Sequence, residues 1–441
     1  MKLNSLFLVA ITMAATGIAH ASEMDVTTAK ARIDKVLDQK FSGLEQLYQD
    51  IHEHPEVSFQ ETHTAGLLAS AMRKLGFEVT EKIGKTGIVA IYHNGDGPTV
   101  LIRTELDALP MEEKTGLPYA SRAKQIVDGH ETFVAHSCGH DLHMAWWVGT
   151  AEALLALKDQ WHGTLMFIGQ PAEERVAGAK AMLDDGLFTR FPKPDYGFAA
   201  HVMNQQLGVV MLKSGTATSS ADTVEVIFHG RGGHGSMPSA TIDPIVIGAH
   251  FVTDVQTIVS REKDAGEFGV ITVGSFQAGT VSNIIPDQAD LKLTLRSFSP
   301  EVRKLLLDGV TRTANAAAQM ANAPAPEVKH LEGVGSVVND AGLATKAGEA
   351  LSKILGKSVI RVPAAMPGIS ASEDYSAFVF AGVPSVFYFI GAYDPKTIAE
   401  YKARGEPVPV NHSPYFAPEP ASIRTGVTTL ALSVLMVAGK N

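Results

Sequence analysis

The sequence predicts an α/β protein with a mostly parallel central sheet, into which a smaller α+β domain is inserted. Helical patterns, as at 62–75 and 141–157, alternate with short apolar runs, and this order favours a parallel sheet with helices on both faces. Four of the apolar runs have the composition of buried strands: 98–106, 163–169, 195–201 and 384–390. The length of 441 residues also indicates two domains or more.

The middle of the chain has a different order of elements, which predicts the inserted domain. Residues 222–229 alternate apolar and polar side chains, as a half-buried strand does. The segments that follow are predicted as helix, strand, strand, helix and strand: 243–260, 268–277, 289–297, 300–321 and 326–332. This β-α-β-β-α-β order is typical of one antiparallel sheet with two helices. We predict an inserted domain at 216–332, between main-domain parts at 22–215 and 333–441.

Residues 1–21 have the features of a secretory signal peptide. Lys2 precedes an apolar run from Leu6 to Ala19, and Ala19-His20-Ala21 forms an A-x-A cleavage site. The apolar run is shorter than the ~20 residues that cross a bilayer, although an N-terminal membrane anchor stays open as the alternative. We therefore expect cleavage after Ala21 and a secreted, periplasmic protein.

Composition limits the classes of partner. The formal net charge of −10 argues against nucleic acid and anionic membranes, because both favour clustered Lys and Arg. The apolar segment from Val427 to Gly439 is too short for a membrane span and predicts a core helix. Cys138 is the only cysteine, so the chain forms no internal disulfide, and this thiol is either buried and inert or held by a ligand such as a metal.

Potential metal ligands follow the predicted strands of the main domain. Each lies close to the end of one apolar run or to the start of the next helix: Asp107, Cys138, His140, Glu173, Glu174 and His201, with His412 near the C-terminus. Ligands of open α/β sheets collect beyond the carboxyl ends of the strands. Thiolate, imidazole and carboxylate groups are the ligands of Zn²⁺ and related ions, so the pattern predicts a metal site.

The adjacent Glu173 and Glu174 allow a division of labour, because neighbouring side chains point in different directions. One carboxylate can bind metal while the other moves protons as a general base. The inserted domain offers His234 in HGRGGHGSMP (229–238), for which a plain β-turn with a solvated histidine is the alternative. The chain has no helix-opening G-x-G-x-x-G, no P-loop and no G-x-S-x-G motif.

The ordered motifs together resemble the M20 metallopeptidase family, and most closely its amidohydrolase branch of hippurate, N-acyl-amino-acid and auxin-conjugate hydrolases. The resemblance covers nearly the whole chain after residue 50 and rests on ten segments: IHEHPEVSFQET (51–62), RTELDALPM (103–111), HSCGHDLHM (136–144), GQPAEE (169–174), AAHVM (199–203), GRGGHGSMP (230–238), NIIPD (283–287), LRSF (295–298), SEDYSAF (372–378) and NHSPYF (411–416).

The resemblance implies a zinc-peptidase-like main domain, an inserted lid that also forms a homodimer interface, and two divalent metal ions per subunit, either Zn, Mn, Co or Ni. It places the metal ligands at five positions: Cys138, His140, Glu174, His201 and His412. It places the general base at Glu173 and a supporting acid at Asp107. His234 matches a lid histidine that helps to hold the tetrahedral intermediate, often across the dimer, and Asn283 and Arg296 match substrate-binding lid positions.

Three departures from the branch pattern put substrate preference in doubt. Thr104 and Glu105 stand where the branch reads Ala and Asp, residues 175–183 lack a glycine-rich pattern, and Tyr375 replaces a common phenylalanine. By this resemblance we expect an amidohydrolase of N-acyl amino acids or small amino-acid conjugates. The alternatives are a dipeptidase or carboxypeptidase of the same family, a cysteine hydrolase that uses Cys138, and a non-catalytic periplasmic binding protein.

Overall fold

The computed structural model describes residues 26–440. The predicted signal peptide, residues 1–21, lies outside the described residues. Within the described range the helices are α1 (Val26–Glu53), α2 (Thr62–Lys74), α3 (His140–Ala156), α4 (Gly178–Asp184), α5 (Leu187–Arg190), α6 (Pro244–Asp254), α7 (Pro300–Met320), α8 (Ala341–Leu355), α9 (Ser376–Phe380), α10 (Pro395–Ala403) and α11 (Ile423–Ala438).

The strands of the same range form one large sheet, one four-stranded sheet and three short two-stranded pairings. In chain order they are β1 (Glu78–Ile83), β2 (Gly87–Asn94), β3 (Thr99–Glu105), β4 (Lys124–Val127), β5 (His130–Phe133), β6 (Gly163–Gln170), β7 (Tyr196–Gln206), β8 (Val210–Lys213), β9 (Gly215–Thr216), β10 (Ala221–His229), β11 (Gly233–His234), β12 (Gly269–Ala278), β13 (Ile284–Ile285), β14 (Gln288–Ser297), β15 (Glu327–Val334), β16 (Val338–Asn339), β17 (Val359–Val362) and β18 (Ser385–Tyr393).

The large sheet is mixed, with strand order β1-β2-β6-β3-β7-β18-β8-β17. Its centre, from β6 through β3 and β7 to β18, is parallel, while β1, β2 and β8 pair antiparallel to their inner neighbours. The four apolar runs predicted from the sequence are the four central strands. The antiparallel strands were not predicted. β1 is mostly exposed or half-buried and has no apolar run of its own, whereas β2 begins with a buried and mostly apolar run, Gly87 to Ile91, that was missed.

Both faces of the large sheet are buried, which explains why its central strands are apolar at successive positions. Val100 and Ile102 face a core formed with α1, α3 and α11, whereas Leu101 between them faces a second core formed with α4 and α9. Residues 420–438 are long and apolar enough to cross a membrane, but 72% of that window is buried inside the protein. This segment contains α11 and packs as the core helix that the sequence predicts.

We call the part that carries the four-stranded sheet the lid. It contains β10, α6, β12, β14, α7 and β15 in that chain order. Its sheet order is β12-β14-β10-β15, with every pair antiparallel. One apolar core joins the sheet to α6 and α7. Asp243 and Ser299 cap these two helices, each followed by a proline at the first helical position.

The chain enters and leaves the lid side by side. Gly215 and Thr216 of β9, on the way in, pair with Asn339 and Val338 of β16, on the way out. The Asn339 side chain also bonds to the Lys213 carbonyl oxygen and to the backbone of Phe387, so the junction is fixed to the edge of the large sheet. Beyond this junction, Arg296 of β14 donates a hydrogen bond to the Ser372 hydroxyl at 2.9 Å.

Candidate metal centre and active site

The ends of the central strands bring the predicted ligands together around one cavity of about 390 Å³. Asp107 follows β3, Glu173 and Glu174 follow β6, and His201 lies within β7. Cys138 and His140 form the entry to α3, and His412 comes from the loop before α11. All five predicted metal ligands and the predicted base therefore occupy the same edge of the sheet.

The Cys138 sulfur lies at the centre of the cluster. Its Sγ atom is 3.3 Å from His201 Nε2 and 3.3 Å from His412 Nε2. Glu174 connects the cluster, because its carboxylate oxygens lie 3.4 Å from His412 Nε2 and 3.8 Å from His140 Nε2. These separations are those of groups that converge on a common point without bonding directly to each other.

Two buried atoms in this cluster have no hydrogen-bond partner: His140 Nε2 and Glu174 Oε1. An unsatisfied buried polar atom is costly, and two facing each other are most simply explained by a cation between them. Cys138, His140 and Glu174 also offer a thiolate, an imidazole and a carboxylate within 4.8 Å of one another. This donor set fits Zn²⁺ and its neighbours in the first transition series.

Backbone carbonyl groups fix which nitrogen of His140 and of His201 faces the cluster. His140 Nδ1 is 2.7 Å from the Asp107 carbonyl oxygen, and His201 Nδ1 is 2.7 Å from the Val202 carbonyl oxygen. Because a carbonyl oxygen can only accept, both Nδ1 atoms must carry the proton. Nε2 is therefore the nitrogen of each ring that faces the cluster, and its lone pair is available to a metal once Nε2 is deprotonated.

His143 is also close to the ligands, but its own bonds exclude it as a ligand. Its Nε2 accepts the Val202 backbone N–H at 2.8 Å, and its Nδ1 is 2.9 Å from the Glu105 carboxylate. Both nitrogens are therefore engaged, and no lone pair remains for a metal. His143 instead fixes the backbone next to His201. The family resemblance places a ligand at His140 and not at His143, although the residue type alone does not separate the two.

The loop that carries the two glutamates is held by its backbone. The Asp107 carboxylate accepts the amides of Glu173 and Glu174, each at 3.0 Å, and the Ser58 hydroxyl at 2.6 Å. The loop then turns back so tightly that a Cβ at Gly178 would lie 1.5 Å from the Pro171 oxygen. Asp107 therefore holds the loop of Glu173 and Glu174 through its backbone amides.

Gly139 allows a second close approach, between the start of α3 and strand β7. It has φ of +94°, and a Cβ built there would lie 2.4 Å from Val202 Cγ1. A side chain is excluded both by the left-handed backbone and by the neighbouring strand. The glycine between Cys138 and His140 thus lets both ligands approach His201 on β7.

The charges of the site indicate an excess of negative groups. Burial, together with the carboxylates of Glu373, Glu174 and Asp374, raises the pKa of Glu173 well above its ordinary value. Burial and the carboxylates of Glu174 and Glu173 raise the pKa of the Cys138 thiol. Burial opposes charging of His140, yet its hydrogen bond to Asp107 and the nearby carboxylates raise its pKa to about 10. A divalent cation would neutralise this excess.

A buried ionic layer lies behind the glutamates, and the sequence did not predict it. Arg103 bonds to Glu105, to Glu373 at 2.6 Å and to Asp374 at 3.2 Å. Gln170 closes the layer, because it accepts from Arg103 at 2.9 Å and donates to Asp374 at 2.7 Å. The partners lie up to 271 residues apart in the chain, so only the fold brings them together.

The three predicted lid residues have different positions. Arg296 lines the cavity, and burial lowers its pKa from the ordinary arginine value. His234 and Asn283 are exposed and are not among the described residues that line the cavity. They lie together on the small β11–β13 ribbon, where His234 pairs with Ile284.

The remaining cavity wall is largely apolar. It is contributed by Val176, Val202, Met203, Ile369, Phe387, Phe389 and Val410. Arg296 is the only cation other than histidine among the lining residues, so the cavity joins an apolar wall to one guanidinium group and to the acidic cluster.

Comparison with known proteins identifies the family. Residues 101–433 match the family model described as "Peptidase family M20/M25/M40". A "Hippurate hydrolase" from Campylobacter jejuni is 38% identical over 295 residues, covering 65% of this chain and 72% of its own length. A "Thermostable carboxypeptidase 1" from Saccharolobus solfataricus is 33% identical over 401 residues, covering 90% of this chain and 95% of its own length.

The structural neighbours have the same fold. The crystal structure of Bacillus subtilis YXEP protein, described as a dinuclear metal-binding peptidase from the M20 family, superposes with a TM-score of 0.73 at 28% sequence identity. The match covers 91% of this chain and 99% of that protein. The likeness therefore extends over both the large sheet and the lid.

Proposed function

The chain belongs to peptidase family M20/M25/M40, whose members hydrolyse amide bonds, and we propose that it is a metal-dependent amidohydrolase of N-acyl amino acids or small amino-acid conjugates. The observation that carries the proposal is the convergence of five ligand side chains on one edge of the sheet, with Glu173 beside them. A cysteine hydrolase is disfavoured, because the Cys138 sulfur faces the Nε2 atoms of His201 and His412, and no carboxylate among the described residues bonds to the Nδ1 atom of either histidine to orient it as a base.

Two divalent ions held by Cys138, His140, Glu174, His201 and His412 would polarise the substrate carbonyl and lower the pKa of water toward ~7. Glu173 is the proton carrier: it takes a proton from the attacking water and delivers it to the leaving nitrogen. The Asp107 contacts to the backbone keep Glu173 and Glu174 in fixed relative positions during this transfer. Glu173 lines the cavity, so its carboxylate is accessible to a bound substrate.

The cavity supports the proposed substrate class. Its volume of about 390 Å³ suits a small molecule, and its apolar wall suits an acyl group or an apolar side chain. Arg296, on the lid side, is a suitable partner for the carboxylate of an amino acid. A dipeptidase or carboxypeptidase of the same family is the second candidate, favoured by the likeness to the Saccharolobus carboxypeptidase.

The experiment that tests this function is an amide-hydrolysis assay before and after chelation, with metal added back. The panel holds N-acetyl and N-benzoyl amino acids together with dipeptides. We expect hydrolysis of the N-acyl compounds that disappears with the chelator and returns with metal. Preference for dipeptides would favour the second candidate, and activity that survives complete metal removal would contradict the metal mechanism.

We also propose that the chain forms a homodimer through the lid. The lid exposes several apolar side chains: Met237 (59% exposed), Val246 (52%), Val281 (53%) and Ile284 (56%). The lid strand β12 is also an unpaired edge of its sheet. Light scattering is expected to give twice the monomer mass, and Ile284→Lys is expected to give the monomer mass.

We further propose that residues 1–21 direct secretion. The support is the charged, apolar and A-x-A segments of the sequence itself. When the full chain is expressed in a Gram-negative host, the periplasmic protein is expected to begin at Ser22. A full-length N-terminus in the cytoplasm would contradict this proposal.

A further inference from the structure

Glu61 is a buried carboxylate with an unusual set of partners. It is 0% exposed, and no lysine, arginine or histidine pairs with it among residues 26–440. It occupies the N-cap position of α2, yet its side chain does not cap that helix. Glu56 does so instead, accepting the amides of His63 at 3.1 Å and Thr64 at 2.8 Å.

The Glu61 side chain instead connects three segments of the chain. Its Oε1 atom accepts the backbone amide of Phe59 at 2.8 Å and that of Ala172 at 2.8 Å. Its Oε2 atom accepts the hydroxyl of Thr86. One carboxylate thus joins the segment before α2, the turn between β1 and β2, and the loop that carries Glu173.

Both amide donors have left-handed backbones. Phe59 has φ of +63° and Ala172 has φ of +48°, although neither is glycine. This conformation costs about 1–2 kcal/mol for a residue with a Cβ, so it persists only where the surroundings impose it. The shared Glu61 oxygen provides such a constraint at both residues.

Ala172 is directly followed by Glu173 and Glu174. Asp107 accepts the amides of those two residues, so three successive amides, 172 to 174, all donate to buried carboxylates. The Ala172 carbonyl oxygen accepts from Ala177 and Gly178 at 3.2 Å each. If the Ala172 backbone relaxed to a right-handed conformation, the peptide plane before Glu173 would rotate and both glutamates would move.

We propose that Glu61 is a positioning residue, which holds the left-handed turn at Ala172 and thereby aims Glu173 and Glu174 at the cavity. The proposal rests on the proposed function, since it gives Glu61 a part in the same reaction. Glu61 does not line the cavity, so it acts through the backbone rather than on the substrate.

A matched pair of substitutions tests the proposal. Glu61→Gln keeps an oxygen that can accept both amides, whereas Glu61→Met has a similar length and no strong acceptor. At saturating metal we expect Glu61→Met to lower kcat about 10–100-fold with KM changed less than about threefold, because small displacements of reacting groups have effects of this size. Glu61→Gln is expected to stay within about threefold of the unsubstituted chain.

A second substitution identifies the route of the effect. Glycine adopts φ of +48° without the Cβ penalty, so Ala172→Gly in the Glu61→Met background is expected to restore kcat at least about fivefold. If Glu61→Met alone fails to fold, the same double substitution is expected to recover folded protein. Absence of any recovery in the double variant would overturn the proposal.

Glu56→Met is the control, because it removes the carboxylate that does cap α2 and leaves the Ala172 contact intact. It is expected to lower the melting temperature while kcat is retained. Equal losses of kcat in Glu56→Met and Glu61→Met would show a general structural effect and overturn the proposal.

A spectroscopic readout separates this proposal from the proposed function. Co²⁺ bound through the Cys138 thiolate and Glu174 gives visible absorption that reports ligand geometry. Glu61→Met is expected to change that spectrum, and Glu61→Gln is expected to preserve it. If the unsubstituted chain hydrolyses none of the amide panel, the proposed function has failed, while an identical spectrum in all variants would overturn the role of Glu61.

Discussion

The main domain and the lid differ in how firmly they hold their predicted site residues. On the main domain, backbone contacts hold two of the predicted ligands, as with the Asp107 carbonyl at His140 and the Val202 carbonyl at His201. On the lid, His234 is exposed, and its Nδ1 atom bonds only locally to Ser236. The main-domain groups therefore converge within one chain, whereas His234 and Asn283 of the lid are exposed and do not line the cavity.

The largest effect is expected at the base. Glu173→Gln keeps the shape of the side chain and removes its ability to take a proton, so kcat is expected to fall about 10³–10⁴-fold. Metal content, measured on the same sample, is expected to stay at the unsubstituted level because Glu174 and the other ligands remain. Substantial turnover in Glu173→Gln would show that the main domain does not carry the proton transfer.

The second prediction tests whether the lid of one subunit serves the site of another. His234→Ala is expected to lower kcat about 10²–10³-fold, the size of effect seen when an oxyanion donor is removed. Mixed dimers of His234→Ala and Glu173→Gln subunits contain one intact site if His234 acts across the dimer. Activity is then expected to reappear on mixing, and its absence would place His234 in its own subunit's site.

The third prediction concerns the supports of the main domain. His143→Asn is expected to weaken metal binding about 10–100-fold, because the Val202 amide and the Glu105 carboxylate lose their shared partner. At saturating metal, kcat is expected to recover to within a few fold. Titration with Co²⁺ measures the affinity, and an unchanged affinity would remove His143 from the structure that holds His201.

The smallest effect is expected where the two domains meet. Arg296→Met is expected to raise KM for an N-acyl amino acid about tenfold, as a lost charged hydrogen bond would do, with kcat little affected. The matched substrate is the corresponding N-acyl amine, which lacks the carboxylate. Its KM is expected to be the same for both proteins, and an equal rise for both substrates would contradict carboxylate binding by Arg296.

Features that follow from local pattern could be predicted from the sequence. The four central strands have apolar runs, and the lid has alternating strands. Among the predicted metal ligands, Cys138 and His140 lie at the start of α3 and Glu174 follows β6, whereas His201 lies within β7 and His412 lies in a loop. The antiparallel strands β1 and β8 could not be predicted in this way. They are short, and β1 is buried only at Ile83, so their place is decided by pairing with neighbours rather than by composition.

The supporting residues were missed for a different reason. Arg103 and Glu373 bond across 270 residues, and Glu61 and Ala172 across 111, so no window of sequence contains both partners. The motifs contained several of these residues, but a motif does not show whether a histidine binds metal, as His140 is placed to do, or accepts a backbone amide, as His143 does. The position of His234 could not be predicted from the sequence pattern either, because it depends on how the lid is oriented relative to the main domain.

The side-by-side crossings at β9 and β16 make the lid a replaceable module. Since Thr216 pairs with Val338, the two ends of the inserted segment are about one strand spacing apart, ~4.8 Å. A hairpin turn of a few residues spans that gap, so the large sheet and its helices can in principle exist without the insertion. Over evolutionary time, lids of other sizes can be exchanged at this hinge while the metal-binding half is inherited unchanged.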